Sequence, residues 1–551
     1  MPHGTPFIRR ALALVAPFLI GPARGIAQAP DLVLVGGKVF TADTARPWAG
    51  GVAIRGDRIV AMGTTAAMRA LAGRGTRIID VGGRVVTPGF NDAHDHISAG
   101  SPGVEIALGG GMADLPGSQV LDSLRAAVAR TPAGTWIRGS VWIRAFEDSV
   151  LRRPALDRVA PNHPVFLMTG WGHGVVVNTA AMQVFGLRED AANPVGGWYE
   201  RDARGRLTGR ADEYAGWDMR RKLRALVPES TMVENLRGFA RRELQLGITS
   251  VQDMSINFEP ATAARVFAAA DLPLRVHVFK FPIPRANSLN AGEWDGVPAR
   301  PAPMVVIRGK KWILDGTPLD GLWLTRGPQR GRPGWHGRLD FPLDSLRAML
   351  AEALRTREQI AFHVLGDSGV AIVLSLMESL APDSAWQPLR VRFEHGGIVA
   401  PRDLWPRAVA KGIVIVYNLQ LAPPPAIART LPKAVLDTME AGMAPVVFRS
   451  FPMGLGSDAV ARSPFAGLHA ELSLPYPTHP SREMLVRAYT WGSAFAEFAE
   501  REKGVLAPGM LADIAVLSQD IFTVPVDALP RTESVLTLLG GRIVWDAGVL
   551  R

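Results

Sequence analysis

The sequence places histidines and an aspartate at the ends of short apolar runs. His94 and His96 end the first of these runs, and residues two apart in an extended chain face the same side. Three later runs end at residues of similar type: His363, His395 and Asp458. Imidazole nitrogens and carboxylate oxygens are the donors that zinc and similar divalent ions accept in proteins. The pattern predicts a metal site in outline.

Composition restricts the alternatives for such a site. The chain has 551 residues, is 47% hydrophobic and 20% charged, and contains 11 His and no Cys. Without cysteine there is no disulfide framework, no thiolate ligand and no cysteine nucleophile. Four of eleven histidines at the ends of inner strands are hard to attribute to packing in a core.

A lysine pair lies in another of the apolar runs. Lys310 and Lys311 are adjacent, so strand alternation allows only one of them to face inward. The residues alone leave two interpretations open, an inward-facing functional lysine or two surface lysines at a strand edge.

The apolar runs alternate with Ala-, Leu- and Arg-rich helical stretches, such as Leu343–Arg357 and Asp367–Leu380. Eight such units predict an α/β fold, a (β/α)8 TIM-like barrel, whose active site lies at the carboxyl ends of the strands. The predicted strands are Val86–His94, Ile248–Met254, Leu274–Lys280, Met304–Leu314, Ile360–Val364, Leu389–His395, Ile413–Asn418 and Met453–Ser457.

The chain divides into regions of different texture. Between the first and second runs, residues 101–245 are far too long for an ordinary βα loop and predict an inserted lid or substrate subdomain within a barrel of residues 88–502. Residues 30–87 and 503–551 are both rich in short strands and turns, which predicts one small β-sandwich built from both termini.

The first residues predict export. Arg9 and Arg10 precede the apolar run Ala11–Ile20, and Ala27-Gln28-Ala29 has the pattern of a cleavage site. Residues 1–29 are therefore expected to be a signal peptide of the Sec or Tat type, which gives a periplasmic or secreted protein with no membrane span in its mature form. The formal net charge of +10 is scattered, so no nucleic-acid partner is expected.

Several motifs resemble the metal-dependent amidohydrolase superfamily, and together they are similar to its amidohydrolase 3, or YtcJ-like, branch. The resemblance covers nearly everything after residue 30, in the family's order. The segments that carry it are 86–96 (VTPGFNDAHDH), 172–182 (GHGVVVNTAAM), 311–316 (KWILDG), 363–367 (HVLGD), 392–395 (RFEH), 456–458 (GSD) and 508–517 (PGMLADIAVL).

The resemblance implies a centre of one or two divalent metal ions, with zinc as the expected metal. In that family pattern His94 and His96 bind the more buried ion and His363 and His395 the outer one. Lys311, chosen over Lys310 by the spacing Lys-x-x-x-Asp-Gly, would be N-carboxylated and bridge two ions. Asp458 would bind metal and act as the catalytic base.

Residues around these ligands are weaker candidates. Asp367 and Glu394 suit a role in fixing the orientation of an imidazole. In the insertion, we expect Trp142, His173 and Asn178 to line the substrate pocket, with His173 donating to a developing oxyanion. The alternative for the insertion residues is an ordinary packed subdomain core.

The resemblance thus implies an exported metal-dependent hydrolase acting on a small molecule with an amide, N-acyl or N-formyl C–N bond. Two alternatives stay open: the same site acting as an esterase, lactonase or cyclic amidase, and a non-catalytic exported binding protein. Asp458 argues against the second, because loss of the base is the expected mark of an inactive relative. A homodimer is also left open.

Overall fold

The computed structural model describes residues 28–108, 114–289, 292–329, 333–395, 402–419, 445–460, 462–474 and 478–550. A parallel sheet of eight strands forms the centre of this fold and confirms the predicted barrel. All eight predicted runs contribute one strand each, in chain order. The strands are Phe90–Asp95, Ile248–Met254, Arg275–Lys280, Val305–Ile313, Ile360–His363, Arg392–Glu394, Val414–Tyr417 and Met453–Leu455.

The first and eighth strands meet without regular ladder pairing. The Oδ1 atom of Asp92 accepts hydrogen bonds from the backbone N–H groups of His94 and Ser457, each at 3.0 Å. The backbone N–H of Asp458 donates to the carbonyl of His94 at 2.7 Å. A Cβ atom at Gly456 would stand 2.4 Å from the nitrogen of His94, so this approach requires glycine. The barrel is closed at the point where the predicted ligands lie.

Helices cover the outside of the barrel and share one hydrophobic core with its strands. Helix Glu229–Gln245 belongs to this layer, since its Met232, Leu236 and Phe239 are buried in that core. The others are Pro260–Ala270, Leu343–Thr356, Asp367–Leu380, Asp383–Trp386, Trp405–Ala410, Pro445–Ser450, Pro464–Leu472, Arg482–Arg487 and Ser493–Ala496, with shorter turns at Gln387–Leu389, Arg402–Leu404 and Ala488–Gly492.

The insertion forms a sheet of its own, called the lid here. Its six strands are Val104–Glu105, Ile137–Val141, Val165–Thr169, Gly174–Val177, Gly197–Arg201 and Leu207–Glu213. Its helices are Gly117–Val128, Ile143–Glu147, Arg153–Val159, Thr179–Phe185 and Tyr214–Arg224. The boundary predicted at residue 245 therefore takes in one barrel helix, because helical periodicity does not say against which sheet a helix packs.

Strands from both ends of the chain, the regions expected to form a β-sandwich, join in one third sheet of eight strands. Its members are Leu32–Phe40, Trp48–Arg55, Arg58–Gly63, Arg77–Asp80, Val85–Pro88, Ile514–Leu517, Ser534–Leu539 and Arg542–Asp546, with helix Thr65–Ala70 beside them. The turn Val526–Arg531 packs against the barrel helix Pro464–Leu472. Residues of the two ends share one hydrophobic cluster, including Leu34, Ile54, Val516 and Leu536.

The predicted first barrel strand is divided between two sheets. Residues Val85–Pro88 pair with Ile514–Leu517 in the terminal sheet, whereas Phe90–Asp95 pair with Ile248–Met254 in the barrel. Gly89 joins them, and a Cβ there would stand 2.2 Å from the Oγ1 of Thr249. The sequence predicts a single strand here, because two strands that are both buried read as one apolar run.

Residues 1–27, which hold nearly all of the predicted signal peptide, lie outside the described residues. Within the described ranges, no helix has the length and apolar character needed to cross a membrane.

Candidate metal centre

The first barrel strand presents two imidazoles at its carboxyl end. His94 is almost fully buried, and its Nε2 lies 3.4 Å from Oδ1 of Asp458, while Nε2 of His96 lies 3.2 Å from the same oxygen. The Nδ1 of His96 is 3.2 Å from the carbonyl of Met254, which can only accept. That contact places the ring proton on Nδ1 and leaves the Nε2 lone pair directed at Asp458.

A buried ion pair fixes the His94 ring. Glu394 lies 2.5 Å from Nδ1 of His94 and receives two hydrogen bonds from Arg392, at 2.7 and 3.0 Å. Burial by itself raises the pKa of Glu394, but Arg392 and His94 outweigh it and hold that pKa well below its usual value. An ionised Glu394 accepts the Nδ1–H and frees Nε2 for a ligand.

The Glu394→Gln substitution is expected to weaken metal binding by about 10- to 100-fold, because a neutral amide no longer fixes the His94 tautomer. Chelator competition on the purified variant measures this. Glu358→Gln is the matched control. Glu358 pairs with Lys280, with 2.8 Å between Oε1 and Nζ, and neither residue is a candidate ligand. Equal metal affinity in both variants would contradict the assigned role of Glu394.

The lysine pair is resolved by the strand Val305–Ile313. Lys310 bonds Glu352 on the outer helix Leu343–Thr356 at 2.7 Å. Lys311 is 1% exposed, and its Nζ has no hydrogen-bond partner among the described residues. Burial lowers the pKa of Lys311 to about 8. Lys311 is therefore the inward residue, as the family spacing implied.

His363 and His395 complete the ring of imidazoles. The ring centroids of His363 and His395 are 4.8 Å apart, and His395 is also 4.8 Å from His94. Burial lowers the pKa of both groups, that of His395 to about 3, so each is neutral and keeps a lone pair. The backbone of His395 has a φ of +59°, a conformation that costs energy in a non-glycine residue.

Asp458 is the carboxylate of the set. Its side chain is 20% exposed, and its backbone φ of +53° turns the chain sharply after the eighth strand. Burial raises the pKa of Asp458, yet the charge of His94 in its protonated form and hydrogen bonds with His94 and His96 outweigh this and hold it well below the ordinary value. The carboxylate is therefore ionised and able to accept a proton.

These residues fit a divalent metal ion. His94, His395 and Asp458 each offer a ligand atom, and the three atoms lie within 4.8 Å of one another. Four buried nitrogens also lack a hydrogen-bond partner among the described residues: His94 Nε2, Lys311 Nζ, His363 Nε2 and His395 Nδ1. Buried polar atoms normally find partners, and neutral imidazoles with a carboxylate are typical zinc donors.

The lid brings one more histidine to this centre. The His173 ring lies 4.9 Å from that of His363, and its Nδ1 is 3.0 Å from Oε2 of the buried Glu213. Asp320 lies near the pair and accepts from Trp171 of the lid at 3.1 Å. His173 is thus oriented by Glu213 beside the ligand ring.

The other two predicted lid residues have different surroundings. Asn178 is wrongly predicted as a substrate contact, because both of its amide atoms are used inside the lid. Its Oδ1 accepts from Val165 and Ala181, and its Nδ2 donates to Ala160 and His163. Trp142 packs over Gly170 and its ring lies 6.0 Å from that of Trp171, so its substrate role stays a prediction.

Some contributions were missed or only half recognised. Glu394 orients the ring of His94 and not that of its sequence neighbour His395. Asp367 accepts hydrogen bonds from the backbone N–H groups of Arg326 and Ser368. The alternation Arg-x-Glu in Arg392–Glu394 was an available signal for the buried pair. No sequence signal singled out Glu213, since its role depends on how the lid packs on the barrel.

Comparison with known families decides the classification. The amidohydrolase family model matches residues 77–545 of the chain. The protein belongs to the amidohydrolase family. This confirms the resemblance drawn from the motifs, and it makes the protein an enzyme, a metal-dependent hydrolase.

Two curated relatives match the amidohydrolase along nearly their whole length. Protein LONG AFTER FAR-RED 3 of Arabidopsis thaliana is 27% identical, over 95% of this chain and 93% of its own. N-substituted formamide deformylase of Arthrobacter pascens is 26% identical, over 94% of this chain and 99% of its own.

Solved structures share the fold of the amidohydrolase. A metal-dependent hydrolase from Pyrococcus horikoshii OT3 aligns with a TM-score of 0.69 at 19% identity, over 90% of this chain and 99% of that chain. Atrazine chlorohydrolase from Arthrobacter aurescens TC1, complexed with zinc, aligns with a TM-score of 0.52 at 17% identity, over 94% of this chain and 95% of that chain.

Proposed function

We propose that this amidohydrolase cleaves the C–N bond of a small amide of the N-acyl or N-formyl type, with zinc or a similar divalent ion. The observation that carries the proposal is the convergence of four imidazoles, Lys311 and an ionised Asp458 at the carboxyl ends of five barrel strands. The formamide deformylase relative, which aligns over 99% of its length, supports a formamide-like substrate.

The ligand set suggests a division of roles. His94 and His96 with Asp458 would hold the more buried ion, and His363 with His395 the outer one. A bound divalent ion supplies Lewis-acid polarisation of a carbonyl and lowers the pKa of water. Asp458 accepts the proton of the attacking water and delivers it to the leaving nitrogen, which is the work of a general base and then a general acid.

Lys311 is proposed to be N-carboxylated. An ammonium group has no lone pair and cannot ligate a cation, whereas a carbamate offers two oxygens. A carbamate forms when the neutral amine adds to dissolved CO2 and releases one proton, and the burial that lowers the pKa of Lys311 to about 8 raises the neutral fraction. The unpartnered Nζ also has no hydrogen bond to lose on modification.

His173 is proposed to donate a hydrogen bond to the oxyanion. Burial raises the pKa of Glu213 well above its usual value, so its protonated carboxyl donates to Nδ1 of His173, and the ring proton on Nε2 is available for donation. A donor held in place before the reaction stabilises developing charge without reorganisation.

A paired substrate screen tests the proposal. N-formylbenzylamine and benzyl formate differ in the leaving atom, and we expect turnover of the amide that disappears after dialysis against a chelator and returns with zinc. Turnover of the ester alone would instead favour the esterase alternative. A purified protein that binds no divalent metal and hydrolyses neither compound would refute the proposed activity.

Export is also proposed, from the charged, apolar and small-residue order of residues 1–29. Cell fractionation followed by N-terminal sequencing should find the protein outside the cytoplasm, beginning near Pro30. A cytoplasmic protein that retains Met1 would refute this.

A further inference from the structure

An arginine of the lid lies at the metal centre without an acidic partner. Arg220 is on helix Tyr214–Arg224, and among the described residues no carboxylate oxygen lies within 4 Å of its side-chain nitrogens to form an ion pair. The guanidinium is surrounded by protein atoms, and Arg220 as a whole residue is half-buried. A guanidinium removed from water normally pairs with an anionic group, either of the protein or of a bound ligand.

The position of this guanidinium is fixed from one side. Its Nε donates to Oδ1 of Asn257 at 2.8 Å, and Nδ2 of Asn257 donates to the carbonyl of Ile97 at 2.8 Å. Ile97 directly follows the ligand His96. The anchor therefore holds Arg220 at a set place beside the first barrel strand, and its two terminal nitrogens form no hydrogen bond with any residue that the structure describes.

The other side of Arg220 faces the lid. A Cβ atom built at Gly172 would stand 3.7 Å from its Nη1, and Gly172 directly precedes His173. The guanidinium consequently lies between the lid segment that carries His173 and the strand end that carries His96. A substrate bound between the lid and the ligands would meet it.

Charges nearby do not neutralise Arg220 once metal is bound. Burial lowers the pKa of Arg220 to about 10, and the acids that counter this are Asp458 and Asp253. Asp458 is committed to metal in the proposed site. Burial raises the pKa of Asp253 well above its usual value, so that group is neutral and its Oδ2 is unpartnered.

We propose that Arg220 binds a carboxylate of the substrate, so that the preferred substrate class is an N-acylated amino acid, with a neutral amide turned over less efficiently. This rests on the proposed C–N hydrolysis at the same site. A guanidinium held at Nε presents a pair of N–H donors that matches the two oxygens of a carboxylate. The positive charge would select substrates by differential binding of the anion.

The test compares two formamides that differ only in the carboxylate: racemic N-formylphenylalanine and N-formyl-2-phenylethylamine. Arg220→Gln should lower kcat/KM for the first by about 10- to 100-fold more than for the second. Arg220→Lys, which keeps the charge and loses the paired geometry, should lie between wild type and Arg220→Gln. Lys222→Gln is the matched control, because Lys222 is on the same helix and pairs with Asp218 at 2.8 Å.

Binding without turnover gives a second readout. Calorimetry with 3-phenylpropanoate, against 3-phenylpropan-1-ol, should show binding of the acid by wild type and Lys222→Gln, reduced by about 10- to 100-fold in Arg220→Gln. Carboxylate binding to metal alone would be equal in wild type and Arg220→Gln, which would overturn the proposal.

The outcomes separate this inference from the proposed function. Turnover of both formamides with the same rate ratio in wild type and Arg220→Gln overturns the role of Arg220 and leaves C–N hydrolysis standing. An equal loss for both substrates also overturns it, and assigns Arg220 to balancing Asp458. If wild type hydrolyses neither formamide but binding of 3-phenylpropanoate depends on Arg220, the carboxylate site is supported and the proposed reaction fails.

Discussion

The Asp458→Asn substitution is expected to lower kcat by about 100- to 10,000-fold, the usual contribution of a positioned general acid–base group. The amide keeps the size of the side chain and an oxygen near the Nε2 atoms of His94 and His96, which lie 3.4 and 3.2 Å from Oδ1 in the native chain. It cannot take up a proton from water. We expect metal to remain bound through the imidazoles while turnover is lost.

Metal analysis and single-turnover kinetics on the same preparation check the Asp458→Asn prediction. Asp367→Asn is a suitable control, because Asp367 follows the fifth strand but accepts from the backbone N–H groups of Arg326 and Ser368. A kcat within twofold of wild type in Asp458→Asn would remove this residue from the proton-transfer role.

The Lys311→Ala substitution should reduce bound metal and lower kcat/KM by more than about 100-fold, since a catalytic ion supplies several kcal/mol of transition-state stabilisation. The fully buried Lys311 would leave a space beside the imidazoles, and a small carboxylate such as propionate can enter it. Added propionate should therefore restore part of both the metal content and the activity.

Lys310→Ala separates this role from the general loss of a strand lysine. Lys310 pairs with Glu352 at 2.7 Å on the outside of the barrel, so its removal should cost little activity and respond to no added acid. Full activity and metal content in Lys311→Ala would exclude Lys311 from the metal bridge, and equal losses in both variants would assign the pair to folding.

The barrel could be predicted because its strands are buried on both faces and read as continuous apolar runs. Each run from Ile248 onward contains the observed strand, with differences of a few residues at its ends. The division of residues 85–95 at Gly89 was not predictable in the same way. Both halves are buried, so the sequence carries no change of pattern where the chain leaves one sheet for another.

The grouping of the candidate ligands could be predicted because these residues follow strand ends, which topology alone brings together. Asn178 was misassigned since a buried amide in a loop looks the same in sequence whether it caps a helix or meets a ligand. The roles of Glu213 and Arg220 arise from the packing of the lid on the barrel, and no local pattern encodes that contact.

The chain passes from the terminal sheet to the barrel at Gly89, and this has a consequence for when the site is completed during synthesis. Val85–Pro88 has its partner in Ile514–Leu517, and the eighth strand that supplies Asp458 also comes late in the chain. The segment with His94 and His96 is therefore made early and gains its partner Ile248–Met254 in mid-synthesis, yet the eighth strand on its other side is made only late in the chain. Metal capture is consequently expected to follow, and not to guide, the folding of most of this enzyme.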